Sequence, residues 1–468
     1  SPALSAVFFG RVATATLPHQ TTKIARRLTA PALTSVFKQP LMNILKQTWA
    51  QLRSQRMLTV LGITGTALSI FLIMVVVMIH QIKILPFAPE SYRGRMLHVK
   101  YALTESENGS ASGGMSYTLA KSLTENLPSA EAATIYQNDC SSEIAKVAGI
   151  GKTKLDFRAV DDKFWQVFDF HFLQGKPFDK ADFDAGLPKA VITRKAALKL
   201  FGTEQAVGRE FRHGRHNYRV VGVVNDVSTL AERAYSEVWI PATCSRLITE
   251  EWSSNGMMGY FSFTILARDA KDFDKIRKEY DDNVRRHNDK IKTTGWKYNP
   301  LGNPYDQETQ ATGVWSNQKP DVEKDRRDRL IVYLILLIVP AINLSGMTES
   351  RLRRRVAEIG VRRAYGSTRG KVFGQLISES LIITLAAGVI GWLASIIFAL
   401  SFSSDIFSDG ESWSAVSSNP PEVSLDMLVQ WPVFFTVLGF CFILNLLSNS
   451  LPAWRASRNS IVRSLAGE

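Results

Sequence analysis

Residues 57–82 read MLTVLGITGTALSIFLIMVVVMIHQI, a run that contains no Lys, Arg, Asp or Glu. A helix needs roughly 20 predominantly apolar residues to cross the hydrocarbon core of a bilayer. Three later segments also meet this requirement, so the sequence predicts an α-helical membrane protein with four transmembrane helices. The predicted spans are residues 57–82, 329–348, 376–402 and 428–451.

The distribution of basic residues predicts the orientation of these spans, because short cytoplasmic segments are enriched in Lys and Arg. Residues 1–56 hold eight basic and no acidic residues, and the loop at 349–371 is also strongly basic. The linker at 403–427 has five acidic and no basic residues. We therefore expect the linker outside, the tail at 452–468 inside, and both termini in the cytoplasm.

The polar block between the first two spans, residues 83–328, is predicted to be one extracytoplasmic α+β domain. Two strand and helix units at its ends, about 91–138 and 255–300, are expected to pack into one α/β layer. The β-rich stretch between them, about 139–250, is predicted to be an inserted subdomain. Individual predictions are strands at 95–101, 130–136 and 260–267, helices at 116–127 and 271–286, and a hairpin joining 210–212 to 218–224.

The chain carries no recognisable catalytic, metal or cofactor motif. Gly151-Lys152-Thr153 lacks the first glycine of a phosphate-binding loop, since that position holds Lys146. His213 and His216 flank Gly214 in a predicted turn, with no other ligand at metal-binding spacing. The net charge of +13 is concentrated beside the apolar segments, which favours a membrane protein over a nucleic-acid-binding protein.

The cysteines leave one question open. Cys441 lies within the fourth predicted span, so only Cys140 and Cys244 could form a disulfide in an oxidising compartment.

Small residues recur at four-residue spacing on two spans, which allows helix backbones to approach closely. This spacing is consistent either with packing inside one subunit or with a dimer seam. The residues concerned are Gly65, Ser69, Ala387, Gly391 and Ser395.

The cytoplasmic segment after the second span is the most informative one. Leu352, Val356 and Ile359 share one face of a predicted helix that is otherwise rich in arginine. Taken alone, this pattern is typical of a helix that binds lipid headgroups at the membrane surface.

This segment and two others resemble the FtsX-like and MacB-like permeases of ABC systems, the type VII or mechanotransmission class. The match to R-x-x-E-I-G-[IV]-R-[RK]-A-x-G-[AS] comprises Arg355, Glu358, Ile359, Gly360, Val361, Arg362, Arg363, Ala364, Gly366 and Ser367. A C-terminal P-A-x-[RK]-A-[SA]-R motif occurs at 452–458, and a third familial run extends from 191 to 224.

The resemblance implies a permease of the bacterial inner membrane whose large domain is periplasmic and has porter-like and inserted Sabre-like parts. It implies that the helix at 349–371, including Val356, contacts a cytoplasmic ABC ATPase that binds ATP and Mg. The chain itself is expected to be no enzyme, to lack its own ATPase domain and to bind no cofactor. Its expected partners are that ATPase, a second permease copy, a periplasmic adaptor and membrane lipid, but no nucleic acid.

Two functions of different classes are consistent with this resemblance. One is export or extrusion of a peptide, drug, lipid or lipoprotein. The alternative is an FtsX-like signalling scaffold that activates a cell-wall hydrolase without transport. The large two-part outer domain favours export. Residues 1–41 match no part of the family and are expected to be a poorly structured extension, followed by a cytoplasmic amphipathic helix at 42–56.

The charge asymmetry yields a direct test of topology. Cysteines introduced singly at Ser110, Thr203 and Ser417 should react with an impermeant thiol reagent from outside, whereas one at Ser367 should react only from the cytoplasm. Labelling of the Ser367 position from outside would contradict the four-span topology.

Overall fold

The computed structural model describes residues 56–336 except 254 and 314, residue 338, and a discontinuous set beyond it: 361, 364–403, 406, 425–428, 431, 434–440, 442, 443, 446 and 447. The predicted segments at 1–41 and 42–56, the linker and the tail therefore lie almost entirely outside the described residues. The chain divides into two compact units, one comprising Ser1–Gly65, Ala341–Ala386 and Phe442–Glu468, the other Thr66–Pro340 and Ala387–Cys441.

In chain order, the helices are α1 (Arg56–Ile84), α2 (Tyr117–Thr124), α3 (Phe164–Val167), α4 (Lys180–Asp184), α5 (Arg194–Phe201), α6 (Phe273–Ile291), α7 (Gln307–Gln310), α8 (Arg369–Ser401) and α9 (Leu425–Leu428). The strands are β1 (Met96–Val99), β2 (Ala102–Ser106), β3 (Gly109–Gly113), β4 (Ala130–Gln137), β5 (Ser141–Val147), β6 (Gly151–Val160), β7 (Phe172–Gly175), β8 (Lys189–Thr193), β9 (Glu210–His213), β10 (His216–Val224), β11 (Val238–Pro241), β12 (Phe261–Ala267), β13 (Lys297–Asn299) and β14 (Tyr305–Asp306). Residues 322–336 are also helical.

Two helices among the described residues are long and apolar enough to cross a membrane, Thr59–Ile84 and Leu381–Ser401. Within the second unit they pack against each other through side chains such as Ile70, Met74 and Ile396. The rings of Phe71 and Phe398 meet edge to face, 5.3 Å apart. This contact buries one face of each helix.

The first and last parts of the globular domain's sequence together form a four-stranded antiparallel sheet, in the order β4-β12-β1-β14. With α2 after β1 and α6 after β12, the chain follows the β-α-β-β-α-β order of a ferredoxin-like unit. The amphipathic helix α6 buries Ile276, Tyr280 and Val284. The Tyr280 hydroxyl also hydrogen-bonds that of Tyr298 on β13, at 2.7 Å.

The middle of the domain is a closed six-stranded barrel. Pairing runs from β6 through β11, β8, β10, β9 and β5 and back to β6. Closure leaves these strands without free edges. The interior is filled by apolar side chains, among them Leu155, Phe157, Phe211 and Tyr218, all at most 2% exposed.

Most individual elements predicted from the sequence are confirmed. The strands β1, β4 and β12, the helix α2 and the β9–β10 hairpin occur within two or three residues of the expected positions, and α6 begins two residues late and ends five residues beyond the expected 286, at Ile291. The hairpin turns at Gly214, whose φ of 56° is in the left-handed region that glycine adopts readily. Strands β7 and β11 and the β2–β3 hairpin were not predicted, since their short segments carry no clear periodicity.

Helix α8 is longer than the predicted third span, since it begins at Arg369. Its part long and apolar enough to cross a membrane, Leu381–Ser401, lies within the predicted 376–402, and residues 365–368 before the helix are not helical. Gly366 has φ of 92°, a conformation that ends a right-handed helix. The positive charges at 369 and 371 concealed this start, because an apolar-span criterion excludes them.

The question about the cysteines is also answered. Cys140 and Cys244 are both free thiols. The Cys140 Sγ atom contacts the Arg158 guanidinium at 3.1 Å, while Cys244 Sγ donates to the Gly186 carbonyl at 3.3 Å.

The barrel joins the four-stranded sheet where β4 meets the end of β6, at the pair Tyr136 and Val160. The next residue, Asp161, is buried. Its carboxyl accepts hydrogen bonds from the Thr134 hydroxyl at 2.6 Å and the Ile135 N–H at 2.8 Å. Burial raises the pKa of Asp161 to about 7, although both hydrogen bonds oppose the shift.

A raised carboxyl pKa means that the folded state holds this proton more tightly than the unfolded state. The contribution of Asp161 to stability should therefore fall as pH rises from about 4 to about 7. We expect wild type to lose stability relative to Asp161→Asn between pH 5 and pH 8, because Asn mimics the protonated acid. Thermal unfolding at both pH values measures this difference. Parallel pH profiles of the two proteins would contradict the assignment.

Candidate functional site: the junction between helix α1 and the globular domain

The point where α1 enters the globular domain is held by a buried polar cluster. The last carbonyls of any helix lack intrahelical partners and need other donors. Here Arg93 Nη1 donates to the carbonyls of Ile82 and Leu85, at 2.9 and 3.0 Å. The amide of Gln307, on α7, donates to the Lys83 carbonyl at 2.6 Å. Side chains of the globular domain thus cap the end of α1.

Glu90 neutralises the arginine that caps the helix. Its Oε2 atom lies 2.6 Å from Arg93 Nε, and both side chains are at most 2% exposed. Burial alone would raise the pKa of the Glu90 carboxyl, but the guanidiniums of Arg93 and Arg233 together hold that pKa below its usual range. The cluster therefore contains a charged, fully desolvated ion pair.

The same cluster holds the loop between β10 and β11, residues 225–237, through its 230–235 segment. Arg93 Nη2 donates to the Leu230 carbonyl at 2.9 Å. Glu90 Oε1 accepts from the backbone N–H groups of Arg233 and Ala234, at 2.9 and 3.2 Å. Because this loop belongs to the barrel, the end of α1 is joined directly to the barrel.

The four-stranded sheet is connected to the cluster through Gln307. The Gln307 Oε1 atom lies 3.0 Å from Nε2 of His98, on β1. The other His98 nitrogen, Nδ1, is 3.0 Å from the Thr264 hydroxyl on β12. Burial and the nearby Arg233 charge hold the pKa of His98 well below its ordinary value, so this imidazole is neutral at physiological pH.

The single-turn helix α7 also contacts the helix at 322–336. Glu308 Oε1 accepts from Arg326 Nη2 at 2.8 Å and lies 4.0 Å from Arg329. Adjacent side chains of α7, Gln307 and Glu308, thus contact the two helices that connect the globular domain to the predicted first and second spans.

A second buried arginine holds the other side of the 230–235 loop. Arg158, on β6, donates to the carbonyls of Glu232 and Tyr235, at 2.9 and 2.8 Å. It also donates to the carbonyls of Gln137 and Asn138, at 2.8 and 3.1 Å, where the chain passes from β4 into the barrel. Arg158 therefore ties that crossing point to the loop held by Arg93 and Glu90.

Only part of the site predicted from sequence lies in the described residues. Val361, Ala364 and Gly366 are exposed. The remaining predicted ATPase-contacting residues lie outside the described residues: Arg355, Val356, Glu358, Ile359, Gly360, Arg362 and Arg363.

The small residues predicted to allow close helix packing occur on α1 and α8, which approach each other closely at Gly391. A Cβ atom on Gly391 would come within 2.6 Å of the Ala67 carbonyl oxygen, so only glycine fits between α8 and α1 at that point. Ala387 and Ser395 are fully buried, Ser69 is buried and Gly65 is half-buried. The contact of Gly391 favours packing within one chain, and the dimer seam stays a prediction.

The junction residues Glu90, Arg93, Arg233 and Gln307 were not predicted from the sequence. Glu90 and Arg93 offered one signal, an opposite-charge pair three residues apart just after an apolar span. Gln307 offered none, because it lies 224 residues from the carbonyl that it caps.

Two family models match the chain. The MacB-like periplasmic core domain covers residues 57–282, and the FtsX-like permease C-terminal model covers residues 330–461. The chain belongs to the FtsX-like and MacB-like ABC permeases. Membership in this family indicates an inner-membrane protein whose globular domain is periplasmic, which is the location that the sequence motifs predicted.

Two relatives in this family are distant from the chain in sequence. The chain is 20% identical to the uncharacterized ABC transporter permease YknZ of Bacillus subtilis, over 68% of this chain and 71% of that protein. It is 23% identical to the macrolide export ATP-binding/permease protein MacB of Chromobacterium violaceum, over 71% of this chain. The match covers 47% of the length of that MacB protein. It covers 36% of the length of the macrolide export ATP-binding/permease protein MacB 1/2 of Paracoccus denitrificans.

Two similar solved structures are isolated domains. The extracellular domain of YknZ from Gram-positive bacteria aligns with 42% of this chain and 99% of its own length, at 17% identity and a TM-score of 0.30. The periplasmic region of MacB from Actinobacillus actinomycetemcomitans aligns with 45% of this chain and 92% of its own length, at 15% identity and a TM-score of 0.30.

The contacts at the junction predict that alanine substitution of two nearby arginines, Arg93 and Arg95, lowers the free energy of unfolding by very different amounts. Arg93→Ala should lower the free energy of unfolding by about 3–5 kcal/mol, because it leaves Glu90 buried without its nearest counter-ion. Arg95→Ala should cost less, about 1 kcal/mol for its partly exposed ion pair with Glu131, although Arg95 Nη1 also donates to the carbonyls of Ala267 and Arg268 at 3.2 and 3.0 Å. Thermal unfolding of the purified protein in detergent compares them. Equal losses would contradict the special role of Arg93.

Proposed function

We propose that this permease transmits motion from a cytoplasmic ABC ATPase to its periplasmic domain, and that this motion drives export or extrusion of a substrate. The observation that supports this best is the junction, in which the end of α1 is capped by side chains of the periplasmic domain. A helix attached in this way cannot tilt or shift without displacing the barrel loop and α7.

The proposed assembly contains two permease copies, each with four spans and cytoplasmic termini. Each copy would contact an ATPase that supplies the ATP and Mg sites, through the segment around Ile359. The porter-like part would correspond to the four-stranded sheet with its helices, and the Sabre-like part to the barrel. Some relatives are named macrolide export proteins. For this chain we propose export of a peptide, drug, lipid or lipoprotein without choosing among them.

The sequence of the proposed ATPase-contacting segment would give that contact an apolar centre. Val356 and Ile359 supply the apolar side chains, and Arg355, Glu358 and Arg362 supply charges around them. This is the usual arrangement of a protein interface, with an apolar core and a polar rim. Gly360 would allow the partner backbone to approach closely.

The test uses two sets of substitutions, one in the proposed ATPase contact and one in the contacts of α7 with the helices. Ile359→Asp places an unpaired charge in the desolvated centre of the ATPase contact, at a cost of about 2–5 kcal/mol. Co-purification of the ATPase should then fail while the permease still folds. The matched control is Ser417→Asp, in the predicted outer linker, which should leave ATPase binding unchanged.

The double variant Gln307→Leu with Glu308→Ala removes the side-chain contacts of α7 with both helices and keeps the Glu90–Arg93 pair. It should bind the ATPase and hydrolyse ATP, but ATP should change the distance between spin labels on the two periplasmic domains by less than in wild type, because Arg93 and Glu90 still join α1 to the barrel loop. Undiminished ATPase binding by Ile359→Asp would disprove the cytoplasmic contact. An unchanged ATP-driven distance change in the double variant would disprove transmission through α7.

A further inference from the structure

One outward face of the barrel is formed by β5, β6 and β9 and is strongly basic. Successive residues of a strand point to opposite sides. Ala145, Leu155 and Phe211 point inward and are almost fully buried. Their neighbours Lys146, Lys154 and Arg212 therefore point outward, and all three are exposed.

Strand register places like charges side by side. Lys146 lies directly opposite Lys152 on β6 and opposite Arg212 on β9. One step along β5 on the same face, Ile144 lies opposite Lys154. Arg215, in the β9–β10 turn, is exposed beside this row. We call this surface the basic face, and it consists of Ile144, Lys146, Lys152, Lys154, Arg212 and Arg215.

This arrangement is unfavourable for the isolated barrel, because like charges directly opposite each other destabilise a sheet. In the described part of the chain, no acidic side chain forms an ion pair with any of these five basic residues. Other basic residues on and around the barrel do have acidic partners, as in Lys189 on β8 with Asp182 on α4 and Lys199 on α5 with Glu237. The same alternation puts one acidic residue, the exposed Glu210, on this side of β9. The five basic residues therefore still leave an excess of four positive charges, which points to an external anionic partner.

The apolar residue within the face indicates what kind of partner fits. Ile144 is 53% exposed and is bordered by basic side chains, which resembles the apolar centre and charged rim of a protein interface. A surface that binds a bilayer buries a broad apolar face, whereas this region exposes only Ile144 and, in the adjacent β5–β6 turn, Ile150. We propose that the basic face binds an acidic surface of a partner protein.

Complementary charge of this kind accelerates encounter and selects partners, and its effect weakens as salt increases. The proposal goes beyond the transmission of motion, because binding at this face requires neither ATP nor the ATPase. Its failure would leave the coupling role intact.

The experiment uses the full chain in phosphatidylcholine nanodiscs and a fluorescein-labelled peptide rich in Glu with a few Leu residues. Fluorescence anisotropy should detect binding that declines with added salt. The triple variant Lys146→Gln, Lys152→Gln and Arg212→Gln should bind about tenfold more weakly or worse, and Ile144→Ser should weaken binding by a smaller factor. The matched control, Lys121→Gln with Lys278→Gln and Lys290→Gln, removes the same charge from exposed positions outside the barrel and should bind like wild type.

Circular dichroism of each variant establishes that the domain is folded. An equal loss in both triple variants would overturn the proposal, because net charge alone would then explain binding. Absence of peptide binding by the wild type would overturn it as well. Binding to phosphatidylglycerol vesicles in place of the peptide would identify the face as a lipid-binding surface and exclude the protein partner.

Discussion

The structure depends on one requirement at the end of α1. A helix that leaves a membrane ends in carbonyl groups that have no partner in their own helix, and burying them under a folded domain requires donors from that domain. Arg93 and Gln307 provide these donors. An arginine can be buried there only with a counter-ion, and Glu90, three residues earlier, supplies it. The capping requirement therefore explains why a buried ion pair is present at this position.

Such a pair adds little net stability, because the Coulombic attraction of two buried charges is largely offset by the cost of removing them from water. Its hydrogen bonds nevertheless hold the neighbouring backbone. Here that arrangement orients the 230–235 loop, whose backbone is bound by Glu90 and Arg93 on one side and by Arg158 on the other. The loop thereby connects α1, the barrel and the crossing point from the four-stranded sheet.

The barrel combines a rigid frame with an exposed functional surface. Closure removes free strand edges, so the backbone positions of its outward residues are fixed relative to one another. That rigidity makes the row of Lys152, Lys146 and Arg212 a defined pattern of charge, unlike lysines on a mobile loop. A partner that binds this pattern would be sensitive to movement of the barrel, which the junction couples to α1.

Local sequence patterns were sufficient to predict the membrane class, the family and much of the secondary structure. The run at 57–82 lacks charge over a length sufficient to cross a bilayer, and the E-I-G-V-R-R segment with two further motifs identified the family. Periodicity located α6 through Ile276, Tyr280 and Val284, because a one-sided helix repeats its apolar residues every three or four positions. These signals are local and can be read without knowing where the chain folds back.

Tertiary structure decided the features that depend on contacts between distant residues. Gln307 looks like any surface glutamine in the sequence, and only folding brings it to the Lys83 carbonyl. Closure of the barrel depends on β11 pairing with both β6 and β8, through a short strand whose partners its own residues do not specify. The basic face likewise arises from strand register, since alternation puts Lys146, Lys152 and Arg212 on one side only after the three strands pair in that alignment.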